Sequence, residues 1–343
     1  MRESTTNICI LGAGSWAIAL GVLLERIGHM VKLWEFDKET AEMLRNRREH
    51  PEKLPGIRIP ETVSITSDIW SAFHRSDYVI IALPSQVVRQ VFSNLPESVK
   101  AKDIKRIKGF IIVSKGIECH THALLSDIIK EEVSDIGDDR IAVLSGPSHA
   151  EEVSRQVPTT VVAASSNRNL AEMVQEDFSD ESFRVYSNTD VKGVELCGGV
   201  KNVIAIAAGI CDGLGFGDNT KGALLTRGVV EITRLGREFD TDEMTFSGLA
   251  GMGDLITTCV SKHSRNRKFG ELIASGYTME QALNKMVMVA EGVKTAESVY
   301  ELAKSKGVEM PITAEVYKVL YQRKPPKRAV RDLMKRQIKP ERW

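Results

Sequence analysis

Asn7-Ile8-Cys9-Ile10-Leu11-Gly12-Ala13-Gly14-Ser15-Trp16-Ala17 is the stretch that decides the fold class. A short β-rich run enters a glycine turn, and a helical pattern over Ser15–Ile27 leaves it. This is the strand–turn–helix setting of the dinucleotide fingerprint G-x-G-x-x-A. In it Gly12 allows the tight turn, Gly14 lets the backbone approach a pyrophosphate, and Ala17 permits close packing of helix on sheet. The helix N-terminus then offers free N–H groups to the phosphates. A lone G-x-G would be weak evidence; the strand before it and the helix after it give it weight.

Outward from this stretch, the first half alternates β-rich runs with helical patterns. Met30–Glu35, Asp77–Leu83, Phe110–Ser114 and Ile141–Leu144 read with Asn7–Leu11 as strands of a buried parallel sheet. Lys38–Arg48, Gln86–Asn94 and Ala123–Glu132 read as helices between them, and Thr159–Ala164 and Phe183–Ser187 extend the sheet. The rhythm is that of a doubly wound, Rossmann-type α/β sheet. After about Asn188 the strand signals stop, and helices are predicted near 190–212, 221–238, 265–275, 289–306 and 311–322. The expected organisation is a dinucleotide-binding domain over 1–189 followed by a mainly α-helical substrate-binding domain over 190–343.

Composition sets the outer limits. The 343 residues carry 46 acidic and 46 basic side chains, so no global field recruits nucleic acid or membrane. Any anion site must be local. The apolar runs, such as Val203–Ile210, read as too short to cross a bilayer. The polar opening Met1-Arg2-Glu3-Ser4 gives no secretory signal. The five scattered cysteines form no C-x-x-C pair and read as reduced packing residues in a cytoplasmic protein, with no metal site. The basic tail around Lys324–Arg328 and Lys335-Arg336 lacks aromatic interleaving and reads as a solvated terminal helix.

The second strand ends in Glu35-Phe36-Asp37. An acidic residue there accepts hydrogen bonds from ribose hydroxyls and repels a 2′-phosphate, so NAD is expected over NADP, though NADP is possible. Phe36 could cover the adenine ring or simply pack. Beyond the strand ends lie Leu83-Pro84-Ser85-Gln86, Ser114-Lys115-Gly116 and Ser145-Gly146-Pro147-Ser148-His149-Ala150. The first belongs beside the cofactor, the second places Lys115 at a strand end, and the third lets backbone amides approach an anion. His149 has no partner in sequence and reads as a plain loop histidine.

Lys201 sits in Val200-Lys201-Asn202-Val203-Ile204-Ala205-Ile206-Ala207-Ala208-Gly209-Ile210, a helix with no wide polar face. A buried ammonium needs partners or a shifted pKa, which marks it as functional; a lysine snorkelling from the helix edge is the alternative. Asp254 follows the bend Gly248–Gly253 and precedes an apolar run, so it suits either a partner for a buried cation or a helix N-cap. In Ser264-Arg265-Asn266-Arg267-Lys268, Ser264 reads as an N-cap with Arg265 and Asn266 in the first turn. Guanidinium, amide and N–H groups there describe a phosphate site. A solvated charge cluster is the alternative, and Arg267 and Lys268 are expected to point to solvent.

Taken in order, these segments resemble the NAD(P)-dependent sn-glycerol-3-phosphate dehydrogenase family from Gly12 to about Ala296. Asn219-Thr220-Lys221, Leu249-Ala250-Gly251-x-Gly253-Asp254-Leu255 and Glu291-Gly292-Val293 complete the match. The resemblance implies that Lys201 is the proton acceptor in oxidation of glycerol 3-phosphate, with Asn202 and Thr258 around it. It implies substrate contacts at Lys115, Gly146, Ser148, Lys201, Asp254, Ser264, Arg265 and Asn266. It also implies cofactor contacts at Ser15, Trp16, Lys115, Ala150, Arg265, Val289 and Glu291. Glu35-Phe36-Asp37 is where bacterial NADP users of the family often carry a basic residue, and here it is more similar to NAD users. The expected reaction is reversible reduction of dihydroxyacetone phosphate to sn-glycerol 3-phosphate for glycerophospholipid synthesis, in a homodimer. Other Rossmann-plus-helical reductases would not need the Ser264-Arg265-Asn266 turn, and a non-enzymatic redox sensor would have no reason to hold Lys201 and Asp254 together.

Overall fold

The structure is a computed structural model that describes residues 5–338, 340 and 341; the polar opening Met1–Ser4 lies outside the described residues. Eight strands form one sheet: β1 (Asn7–Leu11), β2 (Met30–Trp34), β3 (Ser64–Thr66), β4 (Tyr78–Ile81), β5 (Gly109–Ile112), β6 (Ile141–Ser145), β7 (Thr159–Ala164) and β8 (Phe183–Asn188). Their order is β3-β2-β1-β4-β5-β6-β7-β8. Between them run α1 (Ser15–Ile27), α2 (Lys38–Arg47), α3 (Ile69–Phe73), α4 (Val88–Ser93), α5 (Leu125–Glu132), α6 (Ala150–Val153) and α7 (Arg168–Phe178).

The strands read as unbroken apolar runs because both faces are covered. Ile8 and Ile10 join the core on one side of the sheet, while Cys9 and Leu11 join the core on the other. A parallel sheet packed on both faces requires this. The chain runs outward from β1 to β2 and β3, then returns to pair β4 with the free edge of β1, Leu11 opposite Ile81. The carboxyl ends of β1 and β4 thus form the switch point where ligands bind in such sheets. There Gly12 has φ 110°, and a Cβ on it would lie 2.7 Å from the Ala82 carbonyl oxygen. Only glycine fits that turn.

Two strand expectations are corrected. The sheet is not wholly parallel, since β7 pairs antiparallel with β6, Val143 opposite Ala164. The short β3, beside Trp34, carries too few residues to show a periodic pattern.

From Val191 onward all the described regular elements are helical. They comprise α8 (Val191–Gly213), α9 (Asp218–Arg237), α10 (Glu243–Ser247), α11 (Asp254–Val260) and α12 (Arg265–Ala274), then α13 (Met279–Asn284), α14 (Glu291–Lys306), α15 (Pro311–Tyr321) and α16 (Pro326–Met334). Residues 193–211 of α8 are all buried, which is why the sequence there offers no polar face. By length and composition α8 is long and apolar enough to cross a membrane, contrary to the expectation from its shorter apolar run, but protein encloses its apolar stretch, leaving only the ends exposed. Gly209 and Gly270 let α8 and α12 touch through their backbones. A Cβ on Gly209 would lie 1.9 Å from the Arg267 carbonyl oxygen, and one on Gly270 would lie 2.1 Å from that of Ile206.

Buried carboxylates tie the helices together. Glu231 accepts hydrogen bonds from the Ile312 and Thr313 N–H groups, at 2.5 and 3.1 Å, and from Thr313 Oγ1 at 3.1 Å. It satisfies the start of α15, where Pro311 occupies the first turn. Glu231→Ala strands these donors away from water and is expected to cost about 3 kcal/mol or more in urea unfolding. An unchanged midpoint would show that water satisfies them.

Candidate active site

Four elements place the site's charged core. β5 ends in a loop carrying Lys115, β6 ends in the loop containing Gly146, α8 carries Lys201 from below, and α11 begins at Asp254. Asp254 bonds both lysines at once. Its Oδ1 lies 2.5 Å from Lys201 Nζ and its Oδ2 lies 2.7 Å from Lys115 Nζ. Thr258, one turn further along α11, accepts from Lys201 at 2.5 Å. Lys115 also donates to the Gly146 carbonyl at 3.4 Å. Lys201 is 4% exposed and Asp254 2%, so the buried alternative for Lys201 holds and the snorkelling one does not. Asp254 serves as the carboxylate partner; the backbone of Gly253 occupies the N-cap.

Burial and charge pull this group in opposite directions. Burial pushes the Lys201 ammonium down to about 7, against the Asp254 carboxylate, which raises it, and with help from Lys115. Burial pushes the Asp254 carboxyl up, but Lys115 and Lys201 outweigh it and hold it below the usual carboxylate range. The site therefore holds an ionised Asp254 beside a lysine able to release its proton near neutrality.

A second cluster lies one residue along α8. Asn202 Oδ1 accepts from Asn266 Nδ2 at 2.9 Å, and Asn266 Oδ1 accepts from the Gly292 N–H at 2.9 Å. Asn266 is thereby locked in the first turn of α12, between α8 and the start of α14. Ser264 caps α12, accepting from the Arg267 N–H at 3.2 Å, as its position suggested. Arg265 donates to the Val289 carbonyl at 3.2 Å, and Val289 is itself 57% exposed. Arg267 corrects its expectation. It turns inward to Asp212 at 2.6 Å and Glu271 at 3.0 Å and supports α8, whereas Lys268 is exposed as expected.

At the switch point, Gly14 is the N-cap of α1 with no side chain capping the first turn, and a Cβ on Gly14 would meet nothing in the protein. Uncapped N–H groups behind open space suit a pyrophosphate. Ser15 Oγ lies 3.9 Å from Met288 Sδ, and Trp16 is partly buried against the sheet core. Glu291 accepts from Ser85 Oγ at 2.7 Å, so the loop after β4 meets the start of α14 at this edge. Glu35 accepts the Asp37 N–H at 3.1 Å, while the Asp37 carboxylate is engaged in capping α2 through the Thr40 N–H. Each carboxylate accepts a backbone N–H through one oxygen and keeps the other oxygen for a further donor. Phe36 is 77% exposed and touches Trp34 edge-on, so it has a face open to an adenine.

The loop after β6 holds the residue most undervalued by sequence. Ser148 Oγ donates to the Gly146 carbonyl at 3.0 Å, and Ala150 opens α6. His149 is no plain loop histidine. Its Nε2 is buried without a protein partner, and its ring lies 5.9 Å from that of His263. Burial first, and then the Lys201 charge, hold its pKa below the ordinary histidine value. Met288 and the Gly209–Gly270 crossing also escaped sequence reasoning, because each acts through a residue far away in the chain.

Comparison with known proteins adds to this geometry. The family described as NAD-dependent glycerol-3-phosphate dehydrogenase N-terminus matches residues 7–171, and its C-terminus counterpart matches residues 190–331. An NAD(P)+ glycerol-3-phosphate dehydrogenase of Thermoanaerobacter sp. is 49% identical over 337 residues, covering 98% of both chains. One from Chlorobium luteolum is 47% identical over 341 residues, covering 98% of this chain and 99% of its own. The crystal structure of a glycerol-3-phosphate dehydrogenase from Coxiella burnetii superposes with a TM-score of 0.91 at 35% identity, over 97% of this chain and 99% of that one.

Proposed function

The chain belongs to the NAD-dependent glycerol-3-phosphate dehydrogenase family, and from that premise we propose how its residues divide the work of reducing dihydroxyacetone phosphate reversibly. NAD(P)H supplies the hydride for C2 of the substrate when it is bound. The uncapped start of α1 with Gly12, Gly14, Ser15 and Trp16 would hold its pyrophosphate, and Glu35 and Phe36 its adenosine. Ala150 and Lys115, from a dinucleotide-binding domain over 1–189, and Val289 and Glu291, from the helical domain, would complete that contact. The helical domain over 190–343 presents the phosphate turn Ser264-Arg265-Asn266, while Lys115, Gly146 and Ser148 come from the sheet edge.

Within this division Lys201 moves the proton at the C2 oxygen. In reduction its ammonium donates to the developing alkoxide, and in oxidation its neutral amine accepts the hydroxyl proton. The observation that carries this role is the buried Lys201–Asp254–Lys115 group, with Lys201 drawn down to about 7. Asp254 and Thr258 hold the amine in place, Asn202 fixes Asn266, and Arg265 grips the phosphate so that C2 is presented to the lysine.

The test is oxidation of NADH and, separately, NADPH with dihydroxyacetone phosphate as acceptor. NADH is expected to be favoured by about tenfold or more in kcat/KM, because Glu35 repels a 2′-phosphate. Oxidation of glycerol 3-phosphate should rise as pH climbs through about 7, where Lys201 loses its proton, and reduction should fall over the same interval. No turnover with either coenzyme would remove the assignment. The same reading makes the enzyme a cytoplasmic homodimer supplying sn-glycerol 3-phosphate for glycerophospholipid synthesis, checked by sedimentation and cell fractionation. Enclosure of α8 by protein supports reading it as a core helix rather than a membrane span.

A further inference from the structure

We propose that His149 is a substrate-binding residue whose imidazole donates a hydrogen bond to the bound triose phosphate, between Lys201 and the phosphate turn. The inference rests on the reading of the Lys201 pocket as the site of reaction. Two of the buried side-chain atoms without a protein partner, Ser145 Oγ and His149 Nε2, lie four residues apart, one on the last residue of β6 and one in the loop that follows it. A buried polar atom left unpaired costs about 1–3 kcal/mol, so a short segment holding two of them is set for something other than its own stability.

The surroundings of the ring say what it is set for. It feels the charges of the Lys201–Asp254–Lys115 group and of Glu151, the two lysines lowering its pKa and the two carboxylates raising it. It also lies beside His263, the residue immediately before Ser264-Arg265-Asn266. A ring between the proton-transfer lysine and the phosphate turn borders the space that a substrate spanning both must cross. The half-buried imidazole needs no backbone change to use its nitrogen. Its terminal torsion is broad and roughly two-fold, and a half-turn about Cβ–Cγ exchanges Nε2 with Cε1. Held neutral by burial and by the lysines, the ring adds a directional donor without adding a third cation beside Lys201.

Two variants separate binding from packing. His149→Phe keeps the ring and its contact with His263 but removes the nitrogen, whereas His149→Gln restores a donor at the reach of Nε2. His149→Phe is expected to raise KM for dihydroxyacetone phosphate by about tenfold, the loss of one net hydrogen bond. It should weaken sn-glycerol 3-phosphate binding equally in calorimetry on the NADH-loaded protein, where no hydride can be transferred, with the KM for NADH unchanged. His149→Gln should recover most of both losses. An unaltered substrate KM and affinity in His149→Phe would overturn the proposal, and so would equal impairment of the two variants. Turnover by the wild-type enzyme tests the underlying site reading by itself, so the two failures are distinguishable.

Discussion

Lys201→Met is expected to lower turnover of dihydroxyacetone phosphate by at least about a thousandfold, within the range that a positioned proton-transfer group contributes. Methionine fills the buried space in α8 without a proton to give or take, so the packing around Val200 and Val203 is kept. Asp254 keeps Lys115 as a partner at 2.7 Å, which limits the structural damage. The uncapped start of α1 is built from a different part of the chain, and NADH should bind with little change in a fluorescence titration. Near-normal turnover would mean that the proton at C2 travels by another route.

Asp254→Asn should be costly in two measurable ways. One carboxylate answers two lysines here, and removing its charge strips the partly buried Lys115 ammonium and the buried Lys201 of their shared partner. Breaking a buried pair in this way is destabilising by about 3–5 kcal/mol. The second effect is on pH dependence. Asp254 opposes the downward push of burial on Lys201, so without it the lysine falls further below about 7. The acid limb of glycerol 3-phosphate oxidation is expected to move to lower pH. Reduction at neutral pH should fall by about tenfold for each unit that the lysine drops below the assay pH. A pH profile superimposable on the wild type would separate Asp254 from the titration of Lys201.

The fold was legible where local pattern and burial coincide. The first strand, the glycine turn and α1 announce themselves because Gly12 must turn sharply against Ala82 and because both faces of β1 are covered. The reversal of β7 was not legible, since a run such as Thr159–Ala164 is equally apolar in either direction and only its pairing with β6 fixes the sense. Lys201 stood out because a charge on a wholly apolar helix conflicts with its surroundings, and the glycine bend before Asp254 hinted at its partner. Arg267 and His149 were misread for the opposite reason. Each looks ordinary beside its neighbours in sequence, and the groups that give it meaning, Asp212 for one and Lys201 for the other, are brought up by tertiary packing.

The bare contact between Gly209 on α8 and Gly270 on α12 has a consequence for substrate choice. Lys201 is two turns before Gly209 on one helix, and Arg265 and Asn266 lie just over one turn before Gly270 on the other. Two backbones in direct touch cannot slide closer, and the absence of side chains between them leaves no padding to compress. The crossing therefore acts as a gauge block that sets how far the turn Ser264-Arg265-Asn266 stands from the Lys201 nitrogen. On the roles proposed above for those residues, substrate length would be measured at a point the substrate never touches. A ketone phosphate with one more carbon between carbonyl and phosphate is therefore expected to turn over more slowly than dihydroxyacetone phosphate, as a comparison of kcat/KM would show; equal values would remove this reading of the crossing.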